Sequence, residues 1–266
     1  MRYIASMKIS PIKFITGFVC LFILYHAAEY MIVYKNSSGG FLIFQLLFFI
    51  AAWGIAKWQF KEGLAAWGLS VKKHFFSQLL LGMVMGIILY GLTYFINLLL
   101  GIETKLAIPQ RAYIGGPFLL FVFGNFFSSF SEDVLTRGYL YKHLNSKITI
   151  PVFIFISAAV YLLNHIYRLG DGFVTWLYLF LLGVLLVIPL ILTKRLWFTG
   201  GMHWAGNCFF YFTHGIIQSG AGKMDISPNY TLAVCSLLMI PVNYYLLKSS
   251  EMIAPGWSTL PEKSVA

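Results

Sequence analysis

The chain has 266 residues, 59% of them hydrophobic and 11% charged, with a mean hydropathy of +0.78. A soluble domain carries about a quarter charged residues, so this composition excludes a soluble globular protein and describes one that crosses a membrane repeatedly. The formal charge of +10 does not point to nucleic acid, because the basic residues are scattered between apolar runs, the distribution membrane topology produces.

A spanning helix needs about 20 mostly apolar residues. In chain order, the run 12–33 comes first, after a basic start. It has 22 residues, longer than the roughly 7–15 of a signal-peptide core, and no small-residue cleavage site follows, so it is expected to be a retained span. The shorter run 41–56 follows the turn residues 36–40. The segment 57–76 mixes Trp58, Trp67 and Phe60 with four lysines and reads either as an interfacial stretch on the inner leaflet or as an ordinary basic loop. The run 77–100 is a third span. Three later runs, 114–130, 151–163 and 202–212, are interrupted by polar residues, while 173–192 and 230–247 are uninterrupted.

The expected fold class is all-α, a polytopic membrane bundle of about eight transmembrane helices. The expected organisation is 1–112 as three spans plus the interfacial segment, 113–247 as a five-span core and 248–266 as a cytoplasmic tail. With both termini cytoplasmic, fourteen of the 19 lysines and arginines, Arg137 among them, fall on the inner side and five on the outer, the bias expected of cytoplasmic loops. A multi-pass protein of the cell (plasma or inner) membrane is the expected localisation, with membrane lipid and a membrane-associated peptide or protein as partners, and no nucleic acid. Cys20, Cys208 and Cys235 are isolated within apolar runs and suggest neither disulfides nor a thiolate metal site.

The interrupted spans carry the chemistry, since an ionisable group within a bilayer costs about 2.5–3.5 kcal/mol on insertion scales. In "FSSFSEDVLTRGYL", Asn125, Ser128, Ser129, Glu132 and Thr136 recur at helical spacing as one polar stripe. Asp133 points away from that stripe and stands four residues before Arg137, the spacing of an intrahelical ion pair, which leaves Glu132 to face a cavity. In "VYLLNHIY", Tyr161 and His165 are four apart. In "GMHWAGNCFFYFTH", His203 and Asn207 share a face, with His214 near the span's end. His26 and Glu29 in the first span are spaced for a local pair.

Glu-Asp-x-x-x-Arg, Tyr-x-x-x-His and His-x-x-x-Asn, in that order on three membrane helices, resemble the CAAX-processing and bacteriocin-processing (CPBP) family of intramembrane endopeptidases, which includes the type II CAAX prenyl endopeptidases. The resemblance covers about 114–212. It implies Glu132, His165, His203 and Asn207 as catalytic residues and Asp133, Arg137 and Tyr161 as supporting ones. Two positions depart from the family pattern, Asp133 standing for Glu and Tyr161 for Phe.

The chemistry of these residue types suits amide hydrolysis: Glu132 as general base on a water, His165 as relay, and N–H donors from His203 and Asn207 for the oxyanion. No cofactor is fixed by this reading. A zinc-assisted version, with Glu132, His165 and His203 as a His₂Glu set, stands beside a metal-free one. Two other functions remain open: a catalytically silent family member with a binding or immunity-type role, and a proton-coupled transporter using His26, Glu29 and Glu132.

Overall fold

The computed structural model describes residues 10–106, 115–250 and 252–254. Helix α1 (Pro11–Val33) starts where the Ser10 hydroxyl accepts the Lys13 N–H at 3.3 Å and Pro11 occupies the first turn, both ordinary helix-start devices. Helix α2 (Ser38–Phe60) is capped by Ser37 in the same way. Then come α3 (Phe75–Leu99), α4 (Gly116–Leu144), α5 (Ile150–Asn164), α6 (Phe173–Thr193), α7 (Trp197–Phe210) with its π-helical continuation Tyr211–Ile216, and α8 (Pro228–Ser249). Two short strands, β1 (Glu103–Lys105) and β2 (Ser219–Ala221), pair antiparallel with Glu103 opposite Ala221.

The protein is an all-α bundle in which each of the eight apolar runs falls on a helix. Six of these helices, α1, α2, α3, α4, α6 and α8, are long and apolar enough to cross a membrane. The other two are shorter, α5 with 15 residues and α7 with 14 before its π turn. Large apolar side chains such as Ile23, Ile50, Phe95 and Leu238 stand exposed on the outer faces, as a hydrocarbon solvent requires. Position 114, where the fourth run was expected to begin, the boundary at 112–113 and most of the tail lie outside the described residues.

One close contact sets the position of α7. A Cβ at Gly82 of α3 would fall on the Phe198 carbonyl and one at Gly86 on the Met202 carbonyl, so the two backbones touch there. Small residues four apart permit such an approach between membrane helices, where packing rather than hydrophobicity drives association. Met202, Leu89, Tyr161, Leu182 and Met239 join one core across α3, α5, α6, α7 and α8.

The structure corrects two sequence expectations. Helix α4 does not stop near Phe130 but runs to Leu144; its ionisable residues end the hydropathy run without ending the helix, because they are buried inside the bundle. Arg137, counted as an inner-loop cation, is fully buried and tells nothing about loop charge. Within the segment 57–76, α2 extends through Phe60, and a 3₁₀ turn (Leu64–Trp67) drives Trp67 to full burial against Tyr139. Its indole N–H donates to the Ala52 carbonyl at 2.8 Å, which ties the turn to α2.

Candidate active site

Glu132 and Asp133 stand just before a π-helical turn, Val134–Gly138, in the middle of α4. Such turns carry an extra residue and recur at functional sites. The Thr136 hydroxyl donates to the Glu132 carbonyl at 2.8 Å, and the Thr136 carbonyl accepts from Ser157 of α5 at 2.9 Å. These bonds satisfy the loosened backbone and join α4 to α5.

Asp133 and Arg137, both fully buried, form the expected ion pair. The guanidinium lies 4.4 Å from the centre of the Tyr161 ring, a cation–π contact that fixes both groups. Asp133 does more than neutralise Arg137, because its Oδ1 is also 3.4 Å from His203 Nδ1. His203 therefore sits between two carboxylates, with its Nε2 3.6 Å from Glu132 Oε2. An arginine, an aspartate, a histidine and a glutamate form one continuous buried chain.

The other glutamate oxygen faces α5. Asn164 Nδ2 donates to Glu132 Oε1 at 3.2 Å, and His165 Nδ1 lies 3.6 Å from the same atom. His165 Nδ1 is also 2.8 Å from the Tyr161 carbonyl. A carbonyl only accepts, so Nδ1 carries the hydrogen and Nε2 of the neutral ring is the free base. His165 thereby caps the C-terminal end of α5, whose last carbonyls lack helical partners.

Glu132, Tyr161, His165, His203 and Asn207 line one cavity of about 250 Å³. The Asn207 amide has no hydrogen-bond partner among the described residues. A neighbouring apolar crevice of about 380 Å³ shares Ser128 with this cavity. Thus α4, α5 and α7 bring the predicted carboxylate, imidazoles and amide together. They meet because α4 is long and α5 is short.

Other parts of the sequence reading fared differently. His203, expected to offer an N–H to an oxyanion, has both nitrogens facing carboxylates. Asn125 donates to the Trp204 carbonyl at 3.3 Å and serves as a helix–helix contact. The His26–Glu29 pair forms at 2.8 Å, and Glu29, also bonded by the Tyr25 hydroxyl at 3.2 Å, lines the same cavity with Tyr25. His214 is not an isolated end residue, since its Nε2 is 2.6 Å from Glu103 Oε1. Asn164 was missed; the only signal was an amide beside His165 in an apolar span.

His165 gives its Nδ1 hydrogen to the Tyr161 carbonyl, so Nε2 is the one nitrogen it could offer a metal, while the nitrogen nearest Glu132 is Nδ1. Among the described residues no group of three His, Cys, Asp or Glu side chains is arranged to hold a metal ion.

No curated protein gives a significant match to the chain. Residues 114–209, which hold Glu132, Asp133, Arg137, Tyr161, His165, His203 and Asn207, match the model of the family described as Type II CAAX prenyl endopeptidase Rce1-like, the endopeptidase family that the three motifs resemble.

Proposed function

We propose that the protein is an intramembrane endopeptidase that hydrolyses a peptide bond of a membrane-associated peptide or protein with an activated water and no covalent enzyme intermediate. One observation carries this reading. A buried carboxylate from α4 is flanked at 3.6 Å by one imidazole on each oxygen, from α5 and α7, beside a cavity that also holds a free amide.

In this mechanism the Glu132 carboxylate takes a proton from water as the water oxygen bonds to the scissile carbonyl carbon. The negative charge that develops on the carbonyl oxygen accepts a hydrogen bond from the Asn207 amide, which has no competing partner. Collapse of the tetrahedral species breaks the C–N bond, and the proton on Glu132 passes to the leaving nitrogen directly or through His165 Nε2. Asp133 holds His203 at Nδ1, which fixes the ring beside Glu132 rather than at the oxyanion. Arg137 and Tyr161 brace that chain from behind. The chain works as a multi-pass protein of the cell membrane with both termini cytoplasmic, and lipid and the peptide are its partners.

The test compares membrane peptides from cells making the wild-type chain with those making Glu132→Gln. Peptides trimmed only by the wild type support hydrolysis; identical peptide sets sink it and favour the silent, binding-only reading.

A further inference from the structure

We infer that Asn164 is a positioning residue that holds the Glu132 carboxylate so that Oε2, not Oε1, takes the proton from water; this rests on the peptidase reading above. Three polar groups approach that carboxylate. The near nitrogen of His165 spends its hydrogen on the Tyr161 carbonyl, and His203 Nε2 stands off at 3.6 Å. Among the described residues only Asn164 donates to it within hydrogen-bond distance, at 3.2 Å from Oε1. A lone pair engaged by a donor is less available to a proton, so the oxygen left free is the more basic one.

The local fold is built for this contact. Neighbouring residues in a helix diverge by about 100°, yet Asn164 and His165 both reach Oε1. They do so because α5 ends at Asn164 and His165 leaves helical geometry, at φ −83° and ψ 54°. Asn164 is 2% exposed and its Oδ1 is buried without a hydrogen-bond partner among the described residues. A buried amide using so little of its bonding capacity stabilises a fold poorly, and an apolar residue of its size would serve the bundle better. Its presence is explained by what Nδ2 does to Glu132.

Asn164→Leu tests this in full-length protein in lipid vesicles, assayed on internally quenched peptides with and without an S-prenyl group. The expected result is a roughly 10- to 100-fold lower kcat, the scale of one hydrogen bond to a charged group. KM should stay within about twofold, and the thermal midpoint should be unchanged or higher. A merely structural role would instead lower the midpoint and leave kcat per folded molecule intact, which overturns the inference, as would a change confined to KM. Should the leucine variant not fold, Asn164→Ala and Asn164→Gln replace it: the glutamine, which keeps an amide donor, must recover more kcat than the alanine, and equal values overturn the inference. Glu132→Gln separates the two readings. If it stays active, Glu132 is not the base and the mechanism above fails; if it is dead while Asn164→Leu is fully active, only the role of Asn164 fails.

Discussion

Two buried carboxylates in this bundle meet an imidazole and an amide, and they are arranged differently. Glu103 of β1 has His214 Nε2 at 2.6 Å on one oxygen and Asn97 Nδ2 at 3.0 Å on the other. The cavity beside it is only about 40 Å³. Glu132 has a donor on one oxygen alone, both histidines stand at 3.6 Å, and the adjoining space is about 250 Å³. The first cluster is closed on itself and joins β1 to the π-helical end of α7. The second keeps room for a reactant. The same residue types thus give a structural tie or a candidate reaction centre according to whether their hydrogen bonds are completed within the protein. The tie also supports the centre, since His214 stacks at 4.1 Å on Phe210, a wall of the larger cavity.

Exchanging the acids gives the sharpest test of that contrast. Glu132→Gln should lower kcat by roughly 10²- to 10⁴-fold, the range for a lost general base, with little change in thermal midpoint. Asn207→Ala should cost roughly 10²- to 10³-fold in kcat, as for a lost oxyanion donor, and almost nothing in stability, because the amide has no partner to abandon. Glu103→Ala should do the reverse. Leaving His214 and Asn97 without their acceptor should cost about 3–5 kcal/mol, the scale for breaking a buried pair, while turnover per folded molecule changes little. Denaturation in detergent with a parallel peptide assay reads all three. A stable, inactive Glu103→Ala protein, or an unstable Glu132→Gln protein, would erase the distinction.

The contrast also shows what the sequence could express. The apolar runs were legible because lipid and helix–helix contact both demand them. Glu132, Arg137, His165, His203 and Asn207 were legible through helical spacing and the ordered motifs. Periodicity sees only neighbours three or four residues apart, however, so it paired His26 with Glu29 but could not pair His214 with Glu103, 111 positions away. It gave Asn164 no role because adjacent residues diverge in a regular helix, and the unwinding at His165 is a tertiary event. It ended α4 too early because hydropathy cannot tell a charge in water from a charge paired inside a bundle, as Asp133 and Arg137 are. It could not place Trp67 because composition cannot say that a 3₁₀ turn would fold the ring inward.

The smallest expected effect concerns metal, and it decides what the 3.6 Å gaps around Glu132 are for. Zinc would need lone pairs from both imidazoles at about 2.0–2.1 Å, and although His165 Nε2 is free, among the described residues no three His, Cys, Asp or Glu side chains are grouped to hold a metal ion. Dialysis against a chelator should therefore leave kcat within about twofold of the untreated protein, and the purified chain should carry far less than one zinc. Stoichiometric zinc, with activity lost on chelation and regained on adding the ion, would assign the metal to the Nε2 atoms of both histidines, with Tyr161 and Asp133 holding the rings at Nδ1. Asn164 would then compete with a metal for Oε1, and the space that distinguishes Glu132 from Glu103 would be a metal cradle rather than a place for water.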